Sequence, residues 1–124
     1  MNRRFLLVAG FVLLSGCATP GPRIVAPAGA PFAELEPLFG ARAGGEALTI
    51  TVVSNGCTKK EDFAFFLERH EGSVRLAFGR RRIDACKAAP TRVDLTFTFA
   101  ELGVGARSPV FLLNPLEPWI GVGG

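Results

Sequence analysis

The sequence predicts an all-β domain, a small antiparallel sandwich or partly open barrel of about five strands. Two observations predict it. Apolar and polar residues alternate with period two over three separate stretches, the pattern of a strand that buries one face. Turn-forming residues separate those stretches from one another, as short strands joined by tight connections require.

The first alternating stretch is Leu48-Thr49-Ile50-Thr51-Val52, with apolar side chains on one face and threonines on the other. The next segment, Thr58 to His70, carries two periods. Thr58 and Glu61 have capping-box spacing, and Phe63, Phe66 and Leu67 share a helical face, whereas Phe63, Phe65 and Leu67 share a strand face. A turn over Thr58–Asp62 followed by a strand over Phe63–Arg69 is the preferred reading, because the aromatic pair Phe65-Phe66 suits a strand. His70-Glu71-Gly72-Ser73 then supplies a hairpin turn in which Gly72 can take positive φ. Val74-Arg75-Leu76-Ala77-Phe78 alternates again, and Val93 to Phe99 does so most regularly, with Asp94, Thr96 and Thr98 on the polar side. Val110 to Leu113 reads as a shorter strand. Phe32 to Phe39 has room for a helical turn limited by Pro37. Parity then predicts one interior built from Leu48, Ile50, Val52, Phe63, Phe65, Leu67, Val74, Leu76, Phe78, Val93, Leu95, Phe97 and Phe99, since a one-residue slip would turn a whole apolar set to water.

The N-terminus has a different character. Arg3 and Arg4 precede an apolar run from Phe5 to Leu14, ten residues long. That is half of the roughly 20 needed to span a bilayer, and the order of positive, apolar and small residues is that of a secretory signal. Leu14-Ser15-Gly16-Cys17 resembles the bacterial lipobox at all four positions. The resemblance implies a bacterial lipoprotein. Its signal peptide is residues 1–16, cleavage falls between Gly16 and Cys17, and diacylglycerol is attached to the Cys17 thiol. Two or more acyl chains give stable anchoring where one does not. Ala18, in place of the Asp that retains enteric lipoproteins in the inner membrane, implies an outer-membrane anchor facing the periplasm. Residues 17–31 then form the lipidated Cys and a tether in which Pro20, Pro22, Pro27 and Pro31 oppose regular structure. Fully extended, the tether would reach about 40 Å. Residues 32–124 form the domain.

Loss of Arg3 and Arg4 with the signal leaves 12 basic against 11 acidic residues, a net charge of +1. A chain this close to neutrality lacks the basic footprint that nucleic acid needs. Two cysteines remain, Cys57 and Cys86. In an oxidising compartment an even pair reads as a disulfide, the alternatives being two buried thiols or a metal pair. The fold expected is therefore all-β with one disulfide. The string Ser54-Asn55-Gly56-Cys57-Thr58, followed by Asp62-Phe63 and by Asp84-Ala85-Cys86, resembles a family of small uncharacterised proteobacterial exported proteins that carry Gly-Cys-Thr and Asp-x-Cys motifs. The resemblance covers roughly residues 48–115, strengthens the disulfide and implies no activity.

Chemistry-bearing residues are sparse. There is one histidine, no tyrosine, and after the signal only Ser54, Ser73 and Ser108. His70 falls in a predicted turn between Glu68 and Glu71, where solvation explains it without a catalytic triad or metal set. Glu61-Asp62 and Glu68/Glu71 are too close in sequence to face one another across a cleft, as paired glycosidase carboxylates do. No phosphate-cradling glycine motif follows a strand. Arg80-Arg81-Arg82 is the one local charge run, and strand alternation would set Arg80 and Arg82 on one face. It reads as a solvated strand end, or as a contact for lipid phosphates or an acidic partner. The expectation is thus no catalytic residue, no metal and no cofactor. The chain reads as a lipid-anchored envelope protein with a non-enzymatic binding or structural role. The alternative is an inhibitor of an envelope hydrolase such as a lysozyme or protease, an analogy at the level of lipobox, small β-fold and disulfide alone.

Overall fold

The computed structural model describes residues 24–105 and 107–120. Two three-stranded sheets account for most of the regular structure. One has the order β1 (Gly40–Gly44), β2 (Ala47–Ser54), β5 (Thr91–Thr98), and the other β3 (Phe63–His70), β4 (Ser73–Arg80), β6 (Val110–Leu112). A 3-10 turn over Lys60–Asp62 and a single helical turn, α1 (Phe99–Leu102), complete the regular structure.

The all-β sandwich expectation holds, with two differences in its strands. β1 is a sixth strand that alternation could not announce, because Gly40-Ala41-Arg42-Ala43-Gly44 holds no large apolar side chain. It is an edge strand kept in place by its ladder with β2. The expectation of antiparallel strands is met by β1–β2, β2–β5 and β3–β4, but β6 runs parallel to β4. The chain leaves β4, crosses to the other sheet for β5, and returns through α1, so β6 arrives in the same direction as β4.

The sandwich core follows parity. All thirteen residues predicted to share an interior lie in one apolar cluster or pack against it. Phe78 and Phe97, from opposite sheets, bring their ring centroids to 4.8 Å, inside the range of favourable tilted aromatic pairs. Leu38, Leu102 and Val104 add buried side chains from irregular segments. The β3–β4 hairpin turns on Glu71 and Gly72, both at positive φ (25° and 85°), the two-residue geometry that the twist of paired strands favours.

Phe65 and Phe66 confirm β3 as a strand in an unexpected way. A strand with a wet outer face would leave Phe66 in water. Both rings are partly buried, because Phe65 packs on the sandwich core and Phe66 on a second cluster with Phe32, Leu35, Ala64 and Ala77. That second cluster is the N-terminal segment laid over the outer face of the β3–β4–β6 sheet. Phe32 rests where Gly79 lacks a side chain, since a Cβ there would run into the Phe32 ring and the Glu34 carbonyl. The helical turn expected over Phe32–Phe39 is absent. The segment is extended instead, with an antiparallel bridge Val25↔Glu34, a parallel bridge Leu38↔Leu116, and the Glu36 amide donating to the Phe78 carbonyl at 3.0 Å. Residues 17–23 of the expected tether lie outside the described residues. From Ile24 onward the chain is bonded to the domain, through Leu35 N–H to Ile24 O at 2.9 Å and Ala26 N–H to Ala33 O at 3.0 Å.

Two polar devices hold the ends of these elements. Val93 to Phe99 was expected as one strand, but the strand stops at Thr98. There the hydroxyl accepts from the Glu101 amide at 3.1 Å and the Glu101 carboxylate accepts from the Thr98 amide at 2.6 Å. This reciprocal capping box starts α1, and Gly103 closes it at φ 77°, the left-handed conformation that helix ends favour in glycine. Asn114 continues the parallel ladder where β6 stops. Its buried side-chain oxygen accepts from the Phe78 amide at 2.8 Å, while its NH2 donates to the carbonyls of Phe78 (2.7 Å) and Glu36 (2.8 Å).

Candidate functional site

The chemistry of the described chain gathers at one corner, where β2 ends, β4 ends and the N-terminal segment passes between them. β2 stops at Ser54 and the chain turns through Asn55, Gly56 and Cys57. Gly56 sits at φ +113°, and a Cβ there would come within 3.1 Å of the Ala88 methyl. Past the end of β4 the coil brings Cys86 opposite Cys57, and the two form a disulfide with their Cα atoms 5.8 Å apart, well inside the usual range. The expected pairing is therefore present.

Asp84 organises this corner. Its Oδ2 accepts from the Thr58 hydroxyl at 2.7 Å, the Asn55 amide at 2.8 Å, the Cys57 amide at 3.0 Å and the Ser54 hydroxyl at 3.3 Å, and its Oδ1 accepts from the Cys86 amide at 3.0 Å. One carboxylate thus holds the backbone of both half-cystines. Partial withdrawal from water pushes the Asp84 carboxyl up, but the Thr58 hydroxyl and the three amides outweigh it and hold the carboxyl well below the usual range. This gives a physical meaning to the Gly-Cys-Thr and Asp-x-Cys strings, which are the two halves of one hydrogen-bonded clamp. Cys57, Asp84 and Cys86 also bring three potential metal-ligand atoms within 4.8 Å of one another. In this state the sulfurs are bonded to each other, so the thiolates that would bind a metal are spent.

Arg80 occupies the other side of the corner. Its Nε donates to Glu36 Oε2 at 2.9 Å, Nη1 to Thr58 Oγ1 at 3.1 Å and Nη2 to the Val53 carbonyl at 2.7 Å, and the guanidinium lies 4.8 Å from the Phe63 ring centre. The side chains of Arg80 and Glu36 are only 16% and 10% exposed. Burial pushes the Glu36 carboxyl up, and the adjacent Arg80 charge pulls it back without cancelling the rise. The arginine run therefore divides. Arg80 is an internal tie between the N-terminal segment and β2. Arg81 and Arg82 lie beyond the strand and are exposed, so Arg80 and Arg82 do not share a solvated face.

Two hollows flank the corner. The first, about 460 Å³, opens between the free edges of β3 and β5, floored by Phe63, Phe65 and Phe97 with Lys60 and Arg81 on its rim. Lys60 is already engaged, at 2.7 Å from Glu101 Oε1 and 5.0 Å above the Phe97 ring. The second, about 580 Å³, is a groove lined by Ile24, Leu35, Glu36, Arg80, Ile83 and Asp84, among others. Its central polar groups are those of the clamp, already hydrogen-bonded to one another.

The remaining sequence candidates are dispersed. His70 ends β3, half-exposed, with Nε2 3.0 Å from Glu68 Oε1. Ser54 is held on Asp84, and Ser73 donates to the His70 carbonyl at 3.0 Å. Histidine, serine and buried carboxylate are therefore not brought together. Asp62, unlike its neighbour Glu61, is buried and accepts from the Lys59 amide at 3.0 Å. No helix among the described residues is long and apolar enough to cross a membrane. Gly16 and Cys17, the expected cleavage and lipid sites, lie outside the described residues. Comparison with protein-family models, with curated proteins and with solved structures found no match for this chain.

Proposed function

We propose that the chain is an outer-membrane-anchored periplasmic lipoprotein whose β-sandwich has a non-enzymatic binding or structural role in the cell envelope. The lipobox-like tetrad at Leu14–Cys17 supplies the anchor, and the disulfide clamp suits an oxidising compartment. The observation that carries the reading furthest is the way the N-terminal segment enters the domain. It is stitched down from Ile24, only seven residues after Cys17. At about 3.3–3.6 Å per residue those seven span at most about 25 Å, so a lipid on Cys17 holds a folded domain close to its bilayer. Polar side chains at the main corner are consumed in holding the fold, which favours a surface that docks over a site that turns over substrate.

The test is the chemistry at Cys17. The full chain, expressed in a Gram-negative host, should fractionate with the outer membrane. Its intact mass should match a chain beginning at Cys17 with acyl chains added. Cys17→Ala should accumulate as uncleaved precursor. A soluble product with an unmodified Cys17 would overturn the reading.

A further inference from the structure

The coil after β4 carries three side chains that the disulfide corner does not use. Arg81 is exposed and has no ion-pair partner among the described residues. Arg82 is 76% exposed, with Asp62 Oδ1 3.9 Å from its Nη1. Ile83 is 79% exposed. This exposure is built in. Upstream, the Arg81 amide is fixed to the Asp62 carbonyl at 2.7 Å. Downstream, Asp84 is held by five donors and Cys86 by the disulfide. The span between is short and clamped at both ends, so it presents two guanidinium groups and an aliphatic side chain outward from a rigid base.

The N-terminal segment adds to the same end of the molecule. Ile24 shares the groove with Ile83, and Ile24 and Val25 are 42% and 77% exposed. Exposed aliphatic side chains beside arginines are the composition of a surface that rests in the headgroup layer. Arginine forks take phosphate oxygens, and the aliphatic groups enter the acyl boundary. Position selects the lipid surface over other occupants. Ile24 lies seven residues after Cys17 in sequence, so an anchor on Cys17 draws this end of the domain toward whatever bilayer holds the lipid. The acids nearby are mostly occupied, Glu36 by Arg80, Asp84 by the clamp and Asp62 by the Lys59 amide. Glu34 and Glu117 also line the groove.

We infer that Arg81, Arg82 and Ile83, with Ile24 and Val25, form a membrane-contact surface that recognises phosphate-bearing lipid headgroups and fixes the orientation of the domain. This rests on the anchoring reading above, and the test separates the two. The mature full chain is reconstituted in vesicles of phosphatidylethanolamine with a minority of phosphatidylglycerol, with or without bromine on the acyl chains. Two variants carry an added reporter, Ile83→Trp at the proposed surface and Arg75→Trp toward the other end of β4, with Trp119 as the common background. Bromine should quench the Ile83→Trp reporter several-fold more than the Arg75→Trp reporter. Adding Arg81→Glu and Arg82→Glu should reduce that quenching to the Arg75→Trp level while the chain stays on the vesicles. If intact mass shows the lipid and the two reporters are quenched alike, the contact surface is overturned and the anchor stands. If intact mass shows no lipid, the anchor reading fails and this inference fails with it.

Discussion

Asn114→Leu should destabilise the domain by about 2–6 kcal/mol, although Asn114 sits in a stretch of coil. The magnitude follows from what the amide serves. β6 ends at Leu112, and the Leu113 amide makes a further ladder bond to the Leu76 carbonyl at 2.8 Å. After it the Asn114 side chain stands in for a strand, meeting the Phe78 amide and the carbonyls of Phe78 and Glu36. Leucine keeps the volume and removes all three bonds. The Phe78 carbonyl retains the Glu36 amide at 3.0 Å, so the groups stranded are the Phe78 N–H and the Glu36 C=O. Each buried backbone group left without a partner costs about 1–3 kcal/mol. The loss is a large part of the 5–15 kcal/mol typical of a whole domain. Urea denaturation of a chain lacking residues 1–17 reads it as a lower midpoint at unchanged slope. Asn114→Asp should also be destabilising, because it keeps the acceptor for Phe78 but turns the NH2 that donates to both carbonyls into an oxygen that repels them. A loss below about 1 kcal/mol for Asn114→Leu, the scale of an ordinary surface change, would refute the strand-substitute argument.

Three further outcomes are expected. Phe97→Ala should cost about 3–5 kcal/mol, and Thr96→Ala under about 1 kcal/mol, since the Thr96 hydroxyl meets only Thr49 at an exposed 3.1 Å; Thr98→Ala falls between, at about 0.5–2 kcal/mol, and equal losses at the two threonines would deny Thr98 its capping role. Replacing both Cys57 and Cys86 by Ser, 29 residues apart, should cost about 3–4 kcal/mol on loop-closure entropy, and the unreduced wild type should show no free thiol, two being the refuting result. Acid should weaken the fold with a definite sign. The Asp84, Asp94 and Glu101 carboxyls are all held low, so the stability they contribute is full above the unfolded values near pH 4 and is lost as pH falls through their folded ones. Glu36, held high, opposes this, since its contribution is present at low pH and is lost as pH rises through its folded value. Asp84→Asn should therefore flatten the dependence of the urea midpoint on pH below about 4, and an unchanged dependence would remove Asp84 from the account.

The interior was legible because parity is local. Whether Leu95 or Thr96 faces the core is decided by residues a few positions away, and a single error would expose every apolar side chain of the strand. The pairing of strands was not legible in the same way. Nothing near Val110 says that it will lie parallel to Val74, since that depends on the path of the chain through β5 and α1. α1 itself had a readable signal, the Thr98-Phe99-Ala100-Glu101 spacing of its capping box, but the regular alternation from Val93 carried the strand one residue too far, through Phe99. β1 had no apolar signal to read. The outer face of the second sheet shows how a correct strand can still mislead. Phe66 belongs to the polar-side parity of β3, so its burial had to come from another part of the chain, and Phe32 and Leu35 supply it.

The same distinction between local and distant causes separates the candidate sites. The tetrad ending at Cys17 is legible because a processing enzyme reads it as a short extended string, before any fold exists. Asp84 and Arg80 work differently. Read along the chain, Asp84 is one acid two residues before a cysteine, and Arg80 is the first of three equivalent arginines. Their difference from their neighbours is made by Thr58, which donates to Asp84 and accepts from Arg80, and by Glu36, 44 residues before Arg80. Strand β4 ends at Arg80, so Arg80 keeps its strand register and points into the corner, while Arg81 and Arg82 are released to solvent. One residue of chain length thus separates an arginine that ties the fold together from two that face outward toward a phosphate layer, Arg82 keeping one long contact to Asp62 at 3.9 Å. Lengthening the coil by one glycine between Arg80 and Arg81 should leave the Arg80–Glu36 tie intact and shift the outward pair off the base that Asp84 and the disulfide hold. If the Ile83→Trp reporter is then quenched by brominated lipid as strongly as before, contact depends on charge alone, and the rigid presentation argued from the clamp plays no part in it.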